Sequence, residues 1–268
     1  MNSSDSRNAT VENKLLKSTV SGSGPNLVFL HGWGTNSAVW RSVSAALVKH
    51  FCVVNIDLPG YKKNAGFPAD SLIDHVKAIA RSTPPQTAVC AWSLGGQIAL
   101  RWACDFPTQV SRLILVGTTA KFCNGPGWEQ GSNQDEFHSF AAQLEYAPVK
   151  ILKTFFSLVA LGDVNTKRIA NILKTFMSSS DAPNFSVLQR GLDLLATTDV
   201  RAIVSKVKQS SLLIHGANDR VCPIAAAQWL ARAMPKASLH TFDDCGHAPF
   251  LSQPKNFVAI VKEYLLNE

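Results

Sequence analysis

Short apolar runs recur along the chain at Leu27–Leu30, Cys52–Ile56, Thr87–Cys90, Leu113–Val116, Leu212–His215 and Ser238–Phe242, and each reads as a strand. Between them lie segments whose apolar positions return every three or four residues, the helical period: Ser37–Lys49, Leu72–Arg81, Leu94–Cys104, Ile224–Ala233 and Asn256–Leu265. A shorter run, Leu15–Thr19, fits an antiparallel edge strand ahead of these. The alternation predicts an α/β fold, a mostly parallel, doubly wound sheet covered by helices on both faces.

The rhythm breaks after Phe122. No strand pattern appears between Val116 and Leu212; helical patterns stand there instead, at Glu136–Leu144, Val149–Leu161 and Thr166–Met177. Turn-forming clusters, Asn124–Gly127 and Asp181–Asn184, punctuate the ends. This organisation predicts a core made of residues 1–121 and 184–268, with a helical insertion over 122–183. The insertion follows the strand after Leu94–Cys104, on the sheet edge where open α/β folds place ligands, so a lid is the expectation and a surface decoration the plain alternative.

Chemistry enters at Ala91-Trp92-Ser93-Leu94-Gly95-Gly96, between a strand pattern and a helix pattern. A serine in a tight strand-to-helix turn, with small residues two before and two after it, has the spacing of a nucleophile elbow. Ala91 stands where the usual pattern has glycine. The backbone N–H of Leu94, opening the helix, can receive a developing oxyanion.

A serine hydroxyl needs a base, and the base an orienting carboxylate. His247, in Asp243-Asp244-Cys245-Gly246-His247-Ala248-Pro249-Phe250 after the last strand pattern, fits the base. Of the seven histidines, His50, His75 and His138 fit surface positions, and His215 and His240 structural ones. Asp219, in the glycine-containing loop after Leu212–His215, fits the acid. Asp243 and Asp244 stand too close to His247 in sequence to receive its ring easily, and Asp199 precedes the strand. His31-Gly32-Trp33-Gly34 follows another strand pattern, and the Trp33 N–H is the expected second oxyanion donor. This loop lacks the spacing and the lysine of a phosphate cradle.

Composition narrows the setting. At 268 residues and 46% hydrophobic, the chain can bury one substantial core with room for an insertion. Its apolar runs fall far short of the roughly 20 residues needed to span a membrane. Met1–Thr10 is polar, reads as a frayed tail and lacks the apolar centre of a secretory signal. Six scattered cysteines without C-x-x-C pairs predict reduced thiols, no metal site and a cytoplasmic location. The net charge of +7 suggests an acidic partner. With no long Lys/Arg run and no nucleic-acid motif, nucleic acid is not expected to be that partner.

The Trp33 loop, Ser93, Asp219 and His247, in this order along the chain, resemble the α/β-hydrolase superfamily from about Leu27 to the C-terminus. Asp57-Leu58-Pro59-Gly60-Tyr61 resembles that family's D-x-P-G-x-G turn but departs from it at Lys62. Four segments resemble, more closely, the esterases that cleave the methyl ester of pimeloyl-[acyl-carrier protein] in biotin synthesis. They are His31–Gly34 with Val39-Trp40-Arg41, Trp92–Gly96, Gly246–Phe250, and Gly191–Leu195 leading to Thr198–Arg201.

The resemblance implies a serine carboxylesterase that works without metal or cofactor on an ester carried by an acidic protein; separately, a monomer is expected. Lys150, Lys153, Lys167, Arg168 and Lys174, with Asp163 the sole acid between Lys150 and Lys174, offer a basic face for that carrier or else a solvated helix surface. Phe140, Gln143 and Leu144, with Phe155 and Phe156, are candidates to line an acyl channel; their spacing also fits the insertion's own core. A broad-specificity carboxylesterase, a C–C bond hydrolase of the same fold and a non-enzymatic binding protein are the alternatives.

Overall fold

The computed structural model describes residues 14–177 and 184–267. Met1–Thr10 and the Asp181–Pro183 end of the insertion lie outside the described residues.

The strands are β1 (Ser18–Ser21), β2 (Asn26–Leu30), β3 (Cys52–Ile56), β4 (Thr87–Trp92), β5 (Val110–Val116), β6 (Ser210–Gly216) and β7 (Ala237–Phe242). They form one sheet in the order β1-β3-β2-β4-β5-β6-β7. Among the described residues only β1 is an antiparallel strand of the sheet, pairing with β3 from Ser18↔Ile56 to Ser21↔Val53. Every residue of β4 is buried, as expected where helices cover both faces of a central strand.

The chain steps from β2 out to β3 and then returns to lay β4 on the other side of β2. Leu30 pairs with Ala91, so the loops leaving β2 and β4 emerge side by side at this switch point. That juxtaposition brings the His31–Gly34 loop against Ser93.

The helices up to Lys174 are α1 (Arg41–Leu47), α2 (Leu72–Ser82), α3 (Leu94–Asp105), α4 (Gln134–Ala142), α5 (Pro148–Ala160) and α6 (Thr166–Lys174). They are followed by α7 (Phe185–Thr197), α8 (Arg201–Val204), α9 (Ile224–Ala233), α10 (Pro249–Ser252) and α11 (Pro254–Leu266). Local chemistry sets several of these starts. Ser71 and Asp74 close a reciprocal capping box at α2, and Pro148 opens α5 where no backbone donor is required. Asn184 caps α7 by accepting the Ser186 N–H. The sequence pattern left α7 unassigned because Gly191 interrupts its apolar stripe of Leu188, Leu192 and Leu195.

One aromatic seam ties the C-terminal helices to the front of the sheet. Trp40 stacks on Phe250 at 4.1 Å between ring centroids, and Phe250 meets the edge of Trp92 at 5.2 Å. Among the described residues no helix is long and apolar enough to cross a membrane.

Candidate active site

Ser93 sits between β4 and α3 with φ 56° and ψ −119°. A side-chain-bearing residue pays for such a backbone with strain of about 1–3 kcal/mol, and the surroundings have to hold it there. They do so by close approach. A Cβ on Gly95 would come within 2.6 Å of the His31 carbonyl oxygen, and one on Gly96 would overlap the Thr118 side chain. Gly95 therefore lets α3 rest directly on the end of β2. Ser93 N–H also donates to the Val116 carbonyl at 2.9 Å. Ala91 is fully buried in β4, and its methyl group is accommodated.

His247 and Asp219 meet across 28 residues of sequence. His247 Nδ1 lies 2.7 Å from Asp219 Oδ2, with both side chains buried. Asp219 Oδ1 accepts the Val221 and Cys222 N–H groups, each at 2.8 Å. Burial alone would raise the Asp219 pKa, but the charge of His247 and the hydrogen bonds from His215 and His247 outweigh it and hold the carboxyl well below the usual range. His247 also touches Trp92: the indole Nε1 donates to the His247 carbonyl at 2.9 Å. A Cβ on Gly117, the residue after the Val116 that anchors Ser93, would stand 3.0 Å from the His247 ring. The ring thus borders the same β5 end as the serine. Its Nε2 is buried and has no partner among the described residues.

The backbone N–H groups of Trp33 and Leu94 meet no acceptor among the described residues. Leu94 is the first residue of α3, so its N–H lies at the positive end of the helix. The loop carrying Trp33 is held by His31, whose Nδ1 faces the Gly32 carbonyl at 2.9 Å while its Nε2 accepts the Leu58 N–H at 2.9 Å. Trp33 itself reaches into the β5–β6 connection, donating from Nε1 to the Leu188 carbonyl at 2.8 Å and meeting the edge of Phe155 at 4.9 Å.

Above this loop lies a cavity of about 240 Å³. Trp33, Phe122, Phe137, Phe140, Phe155 and Leu192 supply much of its apolar lining; Ser132, Asn133, Glu136 and Arg220 add polar groups. Of the channel candidates, Phe140 and Phe155 line it. Leu144 does not: it is fully buried but absent from the lining. Gln143 lies outside the cavity, exposed, with its amide donating to the Ser139 carbonyl. Phe156 turns toward Gly34.

Sequence reasoning missed three residues here. His215, expected to be merely structural, places Nε2 3.1 Å from Asp219 Oδ2. Arg220, next to the candidate acid, borders the cavity. Asp163, counted as an acid on the basic face, is buried against the His247 loop. His75, expected at the surface, is also buried, with Nδ1 facing the Ser71 carbonyl. The five cations Lys150, Lys153, Lys167, Arg168 and Lys174 are all exposed, and none forms an ion pair among the described residues.

A profile of the alpha/beta hydrolase family matches residues 27–260. The chain belongs to the alpha/beta hydrolase family. This hydrolase is 38% identical over 238 residues to the pimeloyl-[acyl-carrier protein] methyl ester esterase of Nitrosomonas europaea, covering 89% of this chain and 94% of that protein. It is also 38% identical over 246 residues to the protein of the same name from Aromatoleum aromaticum, covering 89% and 97%. An esterase from Exiguobacterium antarcticum superposes with a TM-score of 0.85 at 22% identity, covering 94% of this chain and 96% of that one. A meta-cleavage product hydrolase from Pseudomonas fluorescens superposes at 0.73 and 21% identity, covering 93% of each chain. Those two structural likenesses speak for the fold.

Proposed function

We propose that this hydrolase is a serine carboxylesterase that removes the methyl group from pimeloyl-[acyl-carrier protein] methyl ester, a step of biotin synthesis. The observation that carries the chemistry is the 2.7 Å contact of His247 Nδ1 with Asp219 Oδ2, which leaves the buried Nε2 as the open end of the ring. The relatives at 38% identity supply the substrate.

In this reading His247 Nε2 takes the Ser93 proton as Oγ attacks the ester carbonyl. The Trp33 and Leu94 N–H groups bind the oxyanion, and Asp219 holds the ring in orientation as its charge develops. Collapse expels methoxide, which leaves as methanol with the proton from His247. Water, deprotonated by the same nitrogen, then attacks the acyl-serine and releases the carboxylic acid and Ser93.

The apolar cavity beside Trp33 takes the acyl chain, with α4, α5 and α6 serving as the lid. The exposed cations of α5 and α6 then meet the acidic carrier.

Ser93→Ala tests the mechanism. It removes hydrolysis of both carrier-linked and simple methyl esters and leaves folding intact; retained turnover would refute the assignment. Activity on simple esters with no release of methanol from the carrier-linked one would favour a broad-specificity esterase instead.

A further inference from the structure

We propose that Asp163, on the turn between α5 and α6, is a positioning residue for His247. Its carboxylate is buried, 6% exposed, and faces neither solvent nor the lysines that surround it in sequence. Oδ2 accepts the backbone N–H of Gly246, the residue before His247, at 2.9 Å. Oδ1 accepts the Asn165 N–H and the Ser252 hydroxyl, each at 2.7 Å. Ser252 ends α10, which begins two residues after His247. One carboxylate therefore clamps the histidine loop from both sides.

The neighbouring contacts make the same join. His247 N–H donates to the Val159 carbonyl at 3.2 Å, and Val164 N–H to the Asp244 carbonyl at 3.0 Å. Asn218 Nδ2 bridges the Gly162 and Asp243 carbonyls at 3.0 and 3.2 Å. A Cβ on Gly246 would stand 3.0 Å from the Val159 and Leu161 carbonyl oxygens, so the two backbones are in close contact. The histidine loop is thus built as much on the inserted turn as on the sheet. In a base that has to hold Nε2 toward the serine within a few tenths of an ångström, this is the contact that sets the backbone of the ring. Among the described residues, Asp163 supplies the only charged acceptor in the join, and charge-assisted hydrogen bonds are the stronger kind.

The proposal rests on His247 acting as the base. Asp163→Asn is the sharp variant, because it is isosteric. Its amide oxygen keeps the Asn165 and Ser252 donors, while its NH2 faces the Gly246 N–H, donor against donor. The expected result on a methyl ester is a kcat lowered at least tenfold with KM within threefold, together with a shifted or broadened low-field proton resonance from the His247–Asp219 hydrogen bond. A lowered melting temperature with kcat and that resonance unchanged well below the transition would overturn the proposal and leave Asp163 a stabilising residue only. If Asp163→Asn fails to fold, Ser252→Ala, which removes one donor to the same carboxylate, is read by the same two measurements: a lowered kcat with a displaced resonance supports the proposal, and neither change overturns it. Ser93→Ala run in parallel keeps the two readings apart. Turnover retained there refutes the serine mechanism itself, whereas a dead Ser93→Ala beside a fully active Asp163→Asn refutes only the positioning role.

Discussion

His215 Nε2 stands 3.1 Å from Asp219 Oδ2, the oxygen that also faces His247, and 2.8 Å from the Cys222 carbonyl. A carbonyl only accepts, so Nε2 carries the proton; its one N–H bonds the Cys222 carbonyl and lies beside Asp219 Oδ2 as a longer, shared donor. Oδ1 is satisfied by the Val221 and Cys222 N–H groups, so His215 helps keep Asp219 ionised and pointed at His247. His215→Phe keeps most of the ring volume and removes the donor. It should lower stability by about 2 kcal/mol, the scale of a hydrogen bond to a charged group. With Asp219 then freer to turn, kcat should fall by roughly threefold to thirtyfold, far less than the ~10⁴-fold expected for Asp219→Asn. Urea unfolding and steady-state ester hydrolysis check both. An unchanged kcat would leave His215 a packing residue.

His31 predicts a pH dependence of stability. Burial pushes its imidazole down to about 4, against smaller upward pulls from the Gly32 carbonyl and Asp57. Its neutral form is required because Nδ1 faces the Gly32 carbonyl and Nε2 accepts the Leu58 N–H. In the unfolded chain a histidine titrates near 6.5. Above that value both states are neutral and the full stability is present. As pH falls from 6.5 toward about 4 the unfolded state binds a proton that the native state refuses, and stability drains by about 3 kcal/mol across that window. Denaturant unfolding at pH 7 and pH 4.5, in the wild type and in His31→Gln, checks this: the variant should lose most of that slope while being less stable at pH 7.

Much of this architecture was legible from periodicity alone. Cys52–Ile56 and Ile224–Ala233 have the bounds their patterns indicate, and the other core strands run only a few residues longer. The Ser93, Asp219 and His247 loops were legible because each must follow a strand end, which confines the search to short segments. What escaped depends on contacts that no local pattern encodes. Asp163 and Gly246 are 83 residues apart, and a lone acid among lysines reads as a surface counter-ion until burial is known. Leu144 and Phe140 stand one helical turn apart in sequence, yet α4 ends at Ala142, so Leu144 falls in the following turn, and only Phe140 lines the cavity.

Gly191 on α7 packs directly against the loop that carries Trp33. A Cβ there would lie 2.5 Å from Trp33 Cδ1 and 2.9 Å from Nε1. In an exposed helix Gly→Ala gains up to about 1 kcal/mol. Here the overlap must push the indole off the Leu188 carbonyl or lift α7, and overpacking of this kind costs about 1–3 kcal/mol. Gly191→Ala should therefore be destabilising, with kcat lowered about tenfold or more because the Trp33 N–H moves with its side chain. Thermal unfolding and kcat on a simple methyl ester test it. A stabilised, fully active variant would mean that Trp33 is not seated on α7.

The exposed cations of α5 and α6 separate carrier docking from ester chemistry. Lys150, Lys153 and Lys167 lie on the outer surface of these helices, away from the cavity residues Phe155 and Leu158. Reversing all three to glutamate leaves Ser93 and its surroundings untouched, so kcat/KM for a short free methyl ester should stay within about twofold of wild type. For the carrier-linked ester, attraction becomes repulsion and kcat/KM should fall by roughly tenfold to a hundredfold at low salt. The wild-type advantage should itself shrink as salt rises, because exposed charges more than about 8 Å apart are screened at physiological ionic strength. Methanol release from both substrates over a salt series decides the matter. Equal losses on the two esters would place the effect in folding, and no loss on either would make these lysines an ordinary solvated face.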